Sequence, residues 1–88
     1  MTIEWSARAQ SDAALLYAYI AADDEAAARN VLVRLYTAIR HLVQYPSMGR
    51  LSRDPRYREL IIDQYVVVYS VRRDRIPIIR VWHGAQRK

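Results

Sequence analysis

Cysteine is absent from this chain of 88 residues, glycine and histidine occur twice each, and Lys88 is the single lysine. Without cysteine, neither a disulfide nor a thiolate metal site can form. With only Gly49 and Gly84, no glycine-rich loop is available to cradle phosphate. His41 and His83 lie far apart in sequence, and no carboxylate cluster accompanies either at ligand spacing, so no metal and no cofactor is expected. Ser6 reads as a helix cap, and Ser47, Ser52 and Ser70 have no His–Asp pattern nearby, which removes a nucleophile triad. No run approaches the roughly twenty apolar residues of a membrane span, and no signal-peptide pattern opens the chain. The expectation is a cytoplasmic protein with no membrane partner.

What remains is arginine. The stretch GRLSRDPRYREL holds Arg50, Arg53, Arg56 and Arg58. Residues 1–45 carry four arginines against five acids, whereas residues 46–88 carry nine arginines and Lys88 against four acids. The excess positive charge therefore lies in the second half and points to a polyanionic partner, either nucleic acid or an acidic protein. Arginine in place of lysine favours planar, bidentate contacts with phosphate or carboxylate. A solvated basic surface is the plain alternative. At this length the chain is read as one domain spanning 1–88, which buries only roughly 60–65 % of its unfolded surface. With no covalent staple, a bound partner is a natural source of extra stability.

The pattern of apolar residues predicts an α+β domain of order β-α-α-β-β-β, an antiparallel sheet packed against a two-helix hairpin. TIEW, Thr2–Trp5, alternates like a short strand. Ser6 is placed to cap a helix from about Ala7 to Ala22, whose stripe is Ala9, Ala13, Leu16 and Ile20. Asp23 or Asp24 can cap a second helix from about Glu25 to Gln44, with the stripe Ala28, Val31, Leu32, Leu35, Ile39 and Leu42. So short a link makes the two helices an antiparallel hairpin. Pro46 ends the second helix, and residues 46–56 form a loop. Three strands then follow over Tyr57–Ile62, Tyr65–Val71 and Ile76–Trp82, turning at Asp63-Gln64 and near Arg73-Asp74. Pro77 belongs near a strand start or facing an unpaired side.

Metal-free RNA cleavage needs a base for the 2′-hydroxyl and an acid for the leaving oxygen. Arginine, with a pKa above about 12, cannot be the base but can stabilise charge on phosphate. On this reading His83, Glu59 and the tyrosines are the proton carriers, and Arg58 and Arg80 the phosphate holders. The plain alternatives, favoured for His83, are a strand-end histidine with a structural hydrogen bond and, for Glu59, an ion pair with a neighbouring arginine. Tyr65 and Tyr69 share one strand face and could stack on bases; in so apolar a strand they also read as core.

Together these pieces resemble the RelE/ParE superfamily, the toxins of bacterial type II toxin–antitoxin modules, over nearly the whole chain. WSARAQSDAALLYAYIA is similar to the family's first helix, with Ala9, Asp12 and Tyr19 in place. LVQYPSMGR resembles the end of its second helix, with Pro46 and the Gly49-Arg50 step. YRELIIDQYVVVYSV resembles the central hairpin with Tyr69, and IIRVWHGAQ the last strand and its histidine-bearing tail. The resemblance implies a toxin of a plasmid-stabilisation or addiction system, silenced by a cognate antitoxin that pairs a ribbon–helix–helix DNA-binding half with a tail that wraps the toxin. Promoter DNA would then be reached only through the antitoxin. Candidate surfaces for antitoxin or target are the hairpin around Tyr17, Tyr36 and Arg40 and the basic segment Arg50, Arg53, Arg56 and Arg58, with Tyr65, Tyr69 and Arg80.

Within the superfamily, RelE-like members cut mRNA on the ribosome with basic residues on the sheet, whereas ParE-like members poison DNA gyrase and lack that cluster. Here Val66 stands at the counterpart of the nucleases' arginine on the central strand, and Leu60 near that of their second basic residue. Arg58 is the one clear match in its strand, with Arg80 and His83 as further nuclease candidates. The long hairpin and PSMGR look ParE-like, so inhibition of DNA gyrase is the leading expectation and a ribosome-dependent endonuclease the alternative. ParE-like toxicity often leans on the C-terminal end, which here is the short tail GAQRK.

Overall fold

The computed structural model describes residues 1–84; the tail beyond Gly84, on which toxicity was expected to lean, lies outside the described residues. The elements are β1 (Thr2–Trp5), α1 (Ala7–Ala21), α2 (Glu25–His41), β2 (Arg50–Leu51), β3 (Arg58–Ile62), β4 (Tyr65–Tyr69) and β5 (Arg75–His83). They form one sheet of five strands in the order β1-β5-β4-β3-β2. The hairpin and the antiparallel β3-β4-β5 meander stand as expected. Two features of the strand pairing differ. β1 runs parallel to β5, so the sheet is mixed, and the expected loop contains the two-residue β2 paired with β3.

Each helix begins on a side-chain cap. The Ser6 hydroxyl accepts the Ala9 amide at 3.0 Å and the Asp24 carboxylate accepts the Ala27 amide at 3.1 Å, each relieving an orphan donor of the first turn. α2 ends at His41 rather than Gln44. Leu42, Val43 and Gln44 donate three residues back, to Ile39, Arg40 and His41, so the final turn tightens before Pro46. Arg40 and His41 lie in the last helical turn, where positive charge suits the helix dipole.

The α2 stripe meets one sheet face. Val31, Leu35, Ile39 and Leu42 pack with Leu60, Tyr65, Val67, Tyr69, Ile76, Ile78 and Val81, all buried, and Leu16, Ile20 and Leu32 lie at the edge of that core. Burial of each large apolar side chain contributes roughly 1.5–3 kcal/mol. Val66 and Val68 point to the other face yet are also buried, so β4 is covered on both sides. The β4–β5 register shifts between Val68 and Tyr69, so that Tyr69 pairs with Ile78, and β4 ends there before the turn toward Asp74. Pro77 sits third in β5, opposite this end of β4, and its carbonyl accepts the Ser70 amide at 3.1 Å. Asp63, at φ 55, takes the left-handed corner of the β3–β4 turn, which aspartate tolerates.

Candidate functional site

The bend between α2 and β2 is built around Tyr69. This side chain is wholly buried; its hydroxyl donates to the Pro46 carbonyl at 2.7 Å and accepts the Gly49 amide at 2.9 Å. Arg58 completes the arrangement by donating through Nη1 to the Gly49 carbonyl at 2.7 Å. Gly49 is required by close approach. A Cβ there would lie 2.7 Å from Cε1 and Oη of Tyr69 and 2.8 Å from the Glu59 carbonyl oxygen. Burial raises the Tyr69 phenol above its ordinary 10.0, against the opposing pull of the Gly49 amide and Arg58, so it stays protonated at neutral pH and cannot serve as a base. Beside the bend, the buried Glu59 carboxylate takes Arg50 at 3.2 Å.

A second construction lies at the free edge of β5. β1 pairs along β5 only as far as Trp5 opposite Ile78. Beyond that point α1 takes over. The Ser6 hydroxyl donates to the Ile79 carbonyl at 3.0 Å, so one side chain caps the helix and binds the strand edge. Nearly two turns further, Asp12 Oδ2 accepts the Val81 amide at 2.9 Å and Arg80 Nε at 2.8 Å, while Oδ1 accepts Arg80 Nη2 at 3.2 Å. The carboxylate holds the Arg80 guanidinium even more firmly protonated than usual. That guanidinium also lies over the Trp82 ring, 4.7 Å from its centroid. A cavity of about 710 Å³ opens here between α1 and β5, lined by Asp12, Leu15, Leu16, Tyr19, Trp82 and His83 among others. Leu15 and Tyr19 are strongly exposed on its rim, and Trp82 Nε1 is buried with no acceptor among the described residues.

The proposed nuclease residues do not all converge: Arg80 and His83 both line the α1–β5 cavity, whereas Arg58 lies elsewhere. Cross-strand partners share a face. Arg58 is opposite Tyr69, on the helix face, whereas Arg80 is opposite Val68 and aligned with Glu59, on the other face. His83 is opposite Tyr65 and meets that ring edge-on at 5.6 Å. It therefore lies four positions along β4 from Arg58, about 13 Å at ~3.3 Å per residue. Tyr65, at 5 % exposure, and Tyr69 belong to the core, so neither ring is offered to a partner as the sequence allowed. Arg56 is held by its neighbour Asp54 at 2.6 Å, in an exposed pair, and Arg53 is exposed. On the hairpin, Tyr17 is half-buried and Arg40 exposed, while Tyr36 packs on Trp5 with ring centroids 5.1 Å apart. Sequence reasoning gave Asp12 no role. The signal was present: an acid three residues after Ala9 and four before Leu16, on the apolar stripe itself.

A helical hairpin on one face of a mixed sheet, its last strand edged by the first helix, is the architecture of a RelE/ParE-superfamily toxin. Residues 3–88 match the family model described as the ParE toxin of the type II toxin–antitoxin system parDE, and the chain belongs to this family. It is 37% identical over 86 residues to "Putative toxin Y4kP" of Sinorhizobium fredii, covering 96% of this chain and 88% of that protein. It is 31% identical over 84 residues to "Toxin RelE2" of Caulobacter vibrioides, covering 96% of each. Its fold matches a chain of the chromosomal ParDE system from P. aeruginosa with a TM-score of 0.81 at 22% identity, over 94% of this chain and 95% of that one. A toxin of this type implies a cognate antitoxin as its partner. No helix among the described residues is long and apolar enough to cross a membrane.

Proposed function

We propose that this toxin acts by binding a protein target, DNA gyrase, and not by cutting mRNA. The observation that carries the reading is the employment of Arg58 and Arg80 inside the molecule: the first is bonded to the Gly49 carbonyl, the second to Asp12, and they start from opposite sheet faces. A phosphate in transit needs cations and a proton carrier around one point. Arg80 and His83 line one cavity, but Arg80 is held there by Asp12, Arg58 starts from the other sheet face, and the Tyr69 phenol is buried and protonated. The cavity between α1 and β5, with Leu15, Tyr19 and Trp82 at its walls, instead suits an apolar side chain of a protein partner. In the resting state that partner is the antitoxin, which we propose carries a ribbon–helix–helix DNA-binding half.

Induced expression followed by two readouts on the same cells tests this. Plasmid supercoiling should fall while mRNA in translating ribosomes stays uncut. Unchanged supercoiling at saturating toxin, together with codon-positioned cuts abolished by His83→Ala, would reverse the assignment.

A further inference from the structure

Among the described residues, Arg8, Arg40, Arg53, Arg72 and Arg73 make no side-chain hydrogen bond, ion pair or ring contact. Three of these five fall in two turns that the fold brings together. The first turn spans 52–57 and is closed by Ser52 donating to the Tyr57 carbonyl at 3.1 Å and Tyr57 to the Asp54 carbonyl at 3.0 Å. The second spans 70–75 and is closed by Arg72 donating to the Arg75 carbonyl at 2.9 Å. Ser70 Oγ ties them by donating to the Arg56 carbonyl at 2.8 Å, and the Arg58–Tyr69 pairing sets the two at the same end of the sheet. The two turns hold five arginines, at positions 53, 56, 72, 73 and 75, against Asp54 and Asp74. Asp54 is taken by Arg56 and Asp74 by Arg75, which leaves Arg53, Arg72 and Arg73 facing solvent with their charge uncompensated.

We propose that this end of the sheet binds the phosphate backbone of duplex DNA, giving the toxin a DNA contact of its own beside any made by the antitoxin. A duplex presents a regular lattice of phosphates that unpaired guanidiniums can meet without any shaped pocket. A protein partner would want an apolar anchor in the middle of the patch. Here Tyr57 is half-buried with Arg56 over its ring, and the exposed apolar side chains of the two turns are the small Pro55 and Val71, one on each. Single-stranded nucleic acid would want exposed aromatic rings to stack on, and the turns offer none. The surface is separate from the α1–β5 cavity, so it holds whichever target the toxin has.

The test is fluorescence anisotropy of the purified full chain against a short labelled DNA duplex of arbitrary sequence, titrated between about 50 and 200 mM salt. Binding is expected with a dissociation constant of about 1–100 µM near physiological salt, weakening as salt rises. The double variant Arg72→Ala/Arg73→Ala should bind several-fold more weakly, with a log–log salt slope shallower by about two. Its melting temperature should not move, because both side chains are exposed and make no hydrogen bond, ion pair or ring contact among the described residues. The control is Arg8→Ala/Arg40→Ala, which removes the same charge from elsewhere and should leave the slope steeper than the turn variant does. Three results overturn the proposal: no salt-dependent binding, equal losses in both double variants, or a polyglutamate peptide that binds where the duplex does not. The last would assign these turns to an acidic protein.

Discussion

Two places in this molecule leave backbone groups beyond the reach of any strand, and they are treated differently. At the bend before β2, the Pro46 carbonyl and the Gly49 amide are both met by one phenol, buried and neutral, with Arg58 added on the next carbonyl. At the edge of β5, the Val81 amide is met by an aspartate that needs Arg80 to balance its charge, in a partly exposed pair. Buried backbone groups must find partners, whatever supplies them. The difference lies in cost. A neutral hydroxyl can be enclosed completely, as Tyr69 is, whereas a carboxylate is tolerated only with a cation and some access to water. The comparison also explains why arginines that look catalytic in the sequence are occupied: Arg58 and Arg80 belong to these two repairs.

The bend, being closed, should be the harder of the two to disturb without damage. Gly49→Ala places a methyl carbon against the Tyr69 ring and the Glu59 carbonyl, and the latter is backbone that cannot swing aside. Overpacking of this kind should cost about 3 kcal/mol, a fall in melting temperature of roughly 12–24 °C at ~4–8 °C per kcal/mol for a domain this small. Thermal unfolding followed by circular dichroism measures it. A fall of only a few degrees would mean that the bend yields easily and that its closed geometry is not what holds β2 in place.

Tyr69→Phe removes the hydroxyl and keeps the ring, so it isolates the two hydrogen bonds. Stranding the Gly49 amide and the Pro46 carbonyl should cost about 2 kcal/mol at neutral pH. The cost should also depend on pH. Burial holds the folded-state phenol above the ordinary 10.0, so above that pH the unfolded chain has lost a proton that the folded one keeps. Stability from this group is therefore complete below about pH 10 and falls as pH rises toward the folded value. Urea unfolding of both proteins at pH 7 and above pH 10 should show the wild type losing its advantage over the phenylalanine variant. A gap that is constant with pH would remove the phenol from the account.

Much of the fold was legible because helix and strand periodicities are local. The α2 stripe from Ala28 to Leu42 points inward residue for residue, with Leu32 at its margin, and Ser6 and the Asp23-Asp24 pair marked both helix starts. Pairings between distant segments were less legible. Nothing in TIEW says that it lies parallel to Arg75–Ile78, and a two-residue strand such as Arg50–Leu51 leaves no period to detect. The candidate site suffered most, for a chemical reason. An arginine on a strand has the same sequence appearance whether it donates to a phosphate or to the Gly49 carbonyl, and only the fold distinguishes them. Tyr69 and Gly49 meet across a separation of 20 residues, which no local pattern reports. Asp12 was the exception, an acid on a buried stripe that could have been questioned from spacing alone.

Asp12 also gives the finest test of the contrast between the two repairs. Asp12→Ala strands the Val81 amide and releases Arg80, but both ends of the pair keep some solvent, with side chains 15% and 27% exposed. Water can replace part of what is lost, so the expected cost is about 1–2 kcal/mol, below that of Tyr69→Phe. Asp12→Asn separates the two contributions. The amide oxygen can still accept the Val81 N–H, while the charge that fixes Arg80 is gone, so roughly half of the loss should return. Glu25→Ala provides the scale: its partner Arg29 is an exposed i,i+4 contact, worth about 0.3–0.5 kcal/mol. If Asp12→Ala costs no more than Glu25→Ala in the same denaturation series, Asp12 is an ordinary surface acid, and the edge of β5 needs no substitute for a strand.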